Sequence, residues 1–503
     1  MTISGTVTYD RVPLTGPADS LDFNDTQRLP VRRAPVEVLN ATGGVITSTV
    51  TDESGNYSVT VNSNTDVRVT VSASTASTTG PVWNVQVVDN TSSDALYTLA
   101  GSLSSSGAAS STRSLNAGSG WGTVSYTGTR AAAPFAILDD VYQSFLTFAA
   151  VDGAISFPDL QVYWSPNNVS ADGDVTAGEI NSSSYTRIGG TSTILILGDA
   201  ADDTDEFDSS VITHEFGHFF EDRLSRSDSI GGQHSLTDRL DPRVAFGEAW
   251  GNTFSSIVLD DPIYRDSGQP GTFSGFSFNL ENNTHTNEGW FNEGAIQSVL
   301  YDVFDSNNES GDTISAGLGP FYTAFTSTQY INTSVFTSIF VFADILEDSA
   351  SVPSAALRSM MSTQSITGTG INGAGETNAG GIASALPIYK ALTVGGPAVQ
   401  ICSVDDAGTS NKLGVHSFLT FSLPTTGART LTMTRTSGDT GRDPDFLVFS
   451  GDRLFGVADS SVANSETLMQ VLAAGAYVID AFDAQNTGDG GNPGDACYDF
   501  TLL

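Results

Sequence analysis

Positive charge is scarce in this chain. Twenty lysines and arginines stand against 57 acidic residues over 503 positions, a formal net charge of −37, and the only lysines are Lys390 and Lys412. A surface of that sign repels phosphate backbones and anionic lipid, which argues against nucleic acid and membrane surfaces as partners. No run of eighteen apolar residues occurs, so no membrane-spanning helix is expected. Cysteine is nearly missing: Cys402 and Cys497 are the only two, both close to the C-terminus. They fit one disulfide tying that region's ends, or two buried thiols. The first residues carry neither a basic segment nor an apolar one, which leaves a cytosolic chain or one whose signal peptide is gone. Abundant Gly, Ser, Thr, Asn and Asp with many short β segments favours an exported bacterial protein, secreted or at the cell surface. No internal repeat is visible, and a monomer is expected.

Histidine is sparse as well, five in all, yet two of them fall four apart in H-E-x-x-H, spelled by His214, Glu215 and His218. On a helix this spacing stacks both imidazoles on one face, able to hold one metal ion, with Glu215 beside them to reach a bound water. Asp208 or Ser209 can cap such a helix, and Val211, Ile212, Phe219, Phe220 and Leu224 supply apolar positions near helical spacing. Zinc suits the set, because a catalytic zinc takes three protein ligands and keeps a fourth position open. A second helix is announced by Asp241 and Pro242, an N-cap followed by proline at the first helical position. It carries Glu248 and, one turn on, Asn252, which can orient a ligand histidine. Gly247, Ala249 and Gly251 keep this helix slim.

Two histidines with a glutamate on a following helix resemble the gluzincins, the thermolysin-like metallopeptidases. The chain departs from them in the long spacer between His218 and Glu248 and in Asn252, where many relatives carry Asp. The resemblance implies zinc held by His214, His218 and Glu248, with Glu215 as general base acting on a protein or peptide substrate. It also implies an oxyanion-stabilising His and Tyr after the third ligand, for which His285, Tyr264 and Tyr301 are the candidates. His285 reads equally as a surface loop histidine, and His234, in the spacer, as a solvated one. In the family, the last strand before the zinc helix is a sheet edge that pairs with substrate. Ile194, Ile196 and Gly198 hold that position here, unless the strand is simply buried. The other reading of the whole chain is a non-catalytic surface or adhesive protein with a structural zincin-like core. Intact Glu215 speaks against it, since a structural zinc needs no base.

Length predicts about three domains. Residues 1–103 alternate in β fashion, and the Gly5-x-Val7-x-Tyr9 opening resembles carboxypeptidase-regulatory-like or Ig-like modules, implying an N-terminal β-sandwich. Residues 104–119 are Ser, Ala and Gly rich, a linker by composition. Residues 120–396 form the expected two-lobe zincin-like core, with a mixed sheet lobe and a helical lobe. A helix is expected over 130–148, strands over 160–164 and 192–198, and helices over 288–304, 334–348, 354–362 and 382–393. Residues 397–503 return to β; Asp443 to Phe449 and Gly475 to Ile479 resemble the bacterial pre-peptidase C-terminal domain, a β jelly roll. The expected class is therefore multidomain α+β. Asp172, Asp174, Thr176 and Glu179 offer oxygens at the spacing of a calcium loop or of a plain acidic turn. Residues 201–206 read as a solvated acidic turn.

Overall fold

The computed structural model describes residues 1–306, 312–405, 409–488 and 492–503. The chain is a multidomain mixed α/β protein that folds as two compact units. One holds residues 1–223 with 254–279, the other residues 224–253 with 280–503.

In the first unit, strand Thr2–Arg11 runs antiparallel to Gln27–Pro30 and Asn56–Thr60. A second sheet is built on Asp66–Ser72, beside Pro35–Asn40 and its partner Val45–Val50. Alternation places Ile3, Val7 and Tyr9, and likewise Val67, Val69 and Val71, on buried faces, as period-two patterning requires. Residues 104–119 are not a free tether. Ser111–Thr112 and Leu115–Ala117 pair in parallel with Thr2–Arg11, and Ser104–Ser105 pairs with Asp66–Ser72. Arg113 fastens the run by donating to the carbonyls of Val67 (2.9 Å) and Ser105 (2.8 Å). Such pairing uses backbone groups, so a composition-based reading passes over it.

A further sheet orders its strands Ser184–Ile188, Thr191–Ile196, Leu160–Trp164, Trp83–Asp89 and Ser74–Ser77. Residues 74–89, grouped from sequence with the N-terminal module, thus share a sheet with residues 160–196. The expected substrate edge is corrected here. Thr191–Ile196 is flanked on one side by Leu160–Trp164 in parallel and on the other by Ser184–Ile188 in antiparallel. Ile194 and Ile196 are fully buried, the signature of a central strand. Gly198 donates to Asn168 (3.0 Å) and accepts from Arg130, and a β-carbon there would collide with the Ser165 carbonyl. These three residues belong to the interior of the fold.

Helix α1 (Ala133–Val151) and helix α2 (Ser209–Leu224) meet through aromatic rings. Phe148 stacks on Phe220 at 4.0 Å, and Phe145 meets Phe216 edge-on at 5.0 Å. Helix α3 (Pro242–Leu259) begins where Asp241 accepts the amide of Arg243 (3.0 Å), and its residue Phe254 stacks on Phe148 (4.7 Å) and Phe216 (5.9 Å).

In the second unit, helix α4 (Glu293–Phe304) is capped by Asn292, which accepts from the Ala295 amide at 2.9 Å. Shorter helices follow at Leu318–Phe325, Ile339–Leu346 and Ser354–Thr363. The helix expected over 382–393 is absent. Ala383–Ala385 is a single 3₁₀ turn and Tyr389–Ala391 a strand parallel to Ser417–Leu423. Pro387 sits inside that stretch, donates no hydrogen bond and disfavours helical backbone at Leu386. The C-terminal region stacks a five-stranded and a four-stranded sheet around Leu419, Leu431, Phe446, Ile479, Tyr498 and Phe500. Cys402 and Cys497 face each other across Val399–Ser403 and Ala496–Leu502 and are joined as a disulfide.

Candidate metal centre

In the first unit, the rings of His214 and His218 converge on one face of α2, Nε2 to Nε2 at 3.0 Å. Two nitrogens on a tetrahedral zinc at ordinary bond lengths stand about 3.3 Å apart, so the pair fits the ion nearly as it stands. The opposite side of α2 is fixed by Phe216, Phe219 and Phe220 in the aromatic core. His214 and Glu215 are buried, and His218 is half-buried. Tyr264, on strand Ile263–Ser267, presents its ring edge-on to His214 at 6.0 Å and stacks on Phe278 at 4.8 Å. The amide of Arg265 donates to Ser210 (3.2 Å), tying this strand to α2. Burial pushes the Tyr264 phenol well above its ordinary range, and the charges of Asp266 and Glu215 push it further. Tyr264 therefore stays a neutral donor. Asp208 serves Ser267, accepting its amide at 2.8 Å, and Ser209 donates to Asp140 at 3.0 Å.

The acidic stretch before α2 is not a solvated turn. Thr204, Asp205 and Glu206 are buried, and Glu206 pairs with Arg130. Asp203, Asp205 and Asp266 bring carboxylate oxygens within 4.8 Å of one another. Burial, helped by neighbouring acidic charge, raises the Asp203 carboxyl to about 6 and the Asp266 carboxyl to about 7. The folded state thus holds protons that the unfolded chain, titrating near 4, releases. Stability contributed by this group is present below about pH 4 and lost as pH climbs towards 7. Asp266→Asn should therefore raise the unfolding midpoint at pH 8, by about 1–2 kcal/mol in stability after discounting for partial exposure and coupling. The gain should vanish near pH 4 in thermal melts. A variant less stable than wild type at pH 8 would mean instead that a cation neutralises the cluster.

In the second unit, Glu248 is buried on α3, and Asn252 donates to Gln297 at 2.8 Å. His234 is exposed in its loop, as expected, yet it meets residues of two helices. Its Nε2 lies 3.2 Å from Glu248 and its Nδ1 2.8 Å from Glu293. Its loop is pinned by Asn292, which donates to the carbonyls of Leu236 (2.8 Å) and Asp238 (3.0 Å), and by Lys412, which donates to Gln233 (2.7 Å). Nothing periodic marks His234 in the sequence; its role comes from partners 14 and 59 positions away. His285 approaches Ser298 (2.9 Å), and burial lowers its pKa. It lines a polar cavity of about 690 Å³ with Arg239, Glu288 and Asn378. Tyr301 is buried on α4, its ring 5.9 Å from Phe304. Back in the first unit, within the acidic stretch from Asp172 to Glu179, Asp174 accepts the amide and hydroxyl of Thr176, both at 2.8 Å, and Glu179 accepts the Asp174 amide at 2.9 Å. These oxygens organise a 3₁₀ turn.

A family model described as the Mycolysin C-terminal domain matches residues 158–340, a stretch that takes in α2, α3 and α4. No curated protein matches. Among solved structures, the chain is similar to the pre-peptidase C-terminal domain of a collagenase from Bacillus anthracis, at 10% identity and TM-score 0.17 over 23% of this chain and 94% of that one. It is similar too to CorA, a surface-associated copper-binding protein of Methylomicrobium album BG8, at 7% identity and TM-score 0.18, covering 23% and 96% of the two chains. A family 35 carbohydrate-binding module from Clostridium thermocellum shows 16% identity and TM-score 0.14, covering 21% and 89%. Each likeness involves under a quarter of this chain and carries no functional argument. The family match marks the chain as peptidase-associated.

Proposed function

We propose that this chain is a secreted zinc metalloendopeptidase of the gluzincin type. His214, His218 and Glu248 hold the zinc, in a zincin-like core between β modules that serve attachment or substrate binding. The observation that carries this reading is the convergence of the two imidazoles on α2 with Glu215 beside them. The family match over both helices points the same way.

When bound, zinc acidifies a coordinated water and polarises the scissile carbonyl. Glu215 takes the proton released as the peptide carbon is attacked, holds it on its carboxylate and delivers it to the leaving amine. Tyr264, kept protonated by burial beside His214, donates its phenol hydrogen to the developing oxyanion. Metal analysis of the purified protein together with hydrolysis of unfolded casein tests the reading. One zinc per chain is expected, with cleavage that stops on chelation and returns with zinc. A folded protein without zinc would overturn it.

A further inference from the structure

We infer that His234 is a positioning residue for Glu248, a role that rests on the zinc reading above. A carboxylate that gives one oxygen to a metal still has a second oxygen to satisfy, and its orientation decides whether the first one points correctly. Glu248 lies on α3 with 7% of its surface exposed, and its Oε2 faces His234 Nε2 at 3.2 Å. The imidazole is in turn held by Glu293, which is 2% exposed and meets Nδ1 at 2.8 Å. Glu293 is the first residue of α4, directly after the capping Asn292 whose amide group grips the His234 loop. One helix start thus fixes both the loop and the ring it carries. Buried carboxylates are expensive without partners, and the two ring nitrogens of one imidazole face two of them. The chain Glu293–His234–Glu248 sets the rotation of the Glu248 carboxylate before a metal arrives.

The test measures zinc affinity of the full-length protein by competition with a chromophoric chelator. The wild type is compared with His234→Ala, His234→Gln and Glu293→Gln, each verified as folded by circular dichroism. Loss of such a partner typically weakens metal binding about 10–100-fold, the shift expected for His234→Ala. His234→Gln should recover part of it, because its side-chain amide can donate where Nε2 stood. Glu293→Gln, which keeps the shape but loosens the ring, should fall between wild type and His234→Ala. Cobalt placed in the site supplies a second readout: its visible spectrum should change in His234→Ala, since the Glu248 ligand is reoriented. Wild-type zinc affinity and an unchanged cobalt spectrum in His234→Ala would overturn the inference and leave the zinc reading standing. A wild type that binds no zinc would overturn both.

Discussion

Glu215→Gln should lower casein hydrolysis by about a thousandfold or more while leaving one zinc per chain, since general-base catalysis contributes up to about 10⁴-fold. The substitution keeps the volume of a side chain that is 8% exposed on α2, so packing around Phe216 and Phe219 is undisturbed. It removes the carboxylate that accepts and returns the proton in the proposed mechanism. Loss of zinc along with activity would make Glu215 a ligand rather than a base. Activity within tenfold of wild type would remove it from the mechanism.

The second large effect lies in stability. Arg243, buried near the start of α3, donates to Asp241 at 2.9 and 2.8 Å and to Asp480 at 2.7 Å. Its guanidinium lies over Phe336 at 4.7 Å and Phe418 at 4.9 Å. His416 meets the other oxygen of Asp480 at 2.6 Å. Arg243→Ala would take the guanidinium from two buried carboxylates, leaving Asp480 to His416, and breaking such a pair costs about 3–5 kcal/mol. By contrast Arg187→Ala, which frees Asp222 from a solvent-exposed pair, should cost about 0–1 kcal/mol. Denaturant unfolding of the two variants decides the matter, and equal losses would sink the argument. Acid sharpens the contrast. Burial alone would raise the Asp480 carboxyl, but Arg243 and His416 hold it well below the usual range. Its contribution is therefore present above about pH 4 and lost as pH falls further. Arg243→Ala should blunt that acid sensitivity.

How much of this was readable in advance follows from how local each feature is. The spacing of His214 and His218 is a property of one helix turn, and the start of α3 is written in Asp241 and Pro242; both were legible. The partners of His234 were not, because a loop histidine acquires meaning only from residues folded against it. The same holds for Asp266, which meets Asp203 and Asp205 across some sixty positions. Strand order was also hidden. Ser184–Ile188 is too polar to announce itself, yet it covers the flank of Thr191–Ile196 and turns an expected edge into an interior strand. Residues 382–393 look apolar enough for a helix, and Pro387 overrides that preference.

The strand Tyr389–Ala391 lies ahead of the boundary at 397 that composition suggests, yet hydrogen-bonds along Ser417–Leu423. A fragment cut at 397 would keep the disulfide and most of the sandwich core but lose this outermost strand and the buried Leu392. Ser417–Leu423 would then present an unpaired row of amides and carbonyls, a template for chain-to-chain association. Anyone dissecting the molecule into separately expressed pieces should begin the last piece before Tyr389, or clumping would be mistaken for a property of the intact protein.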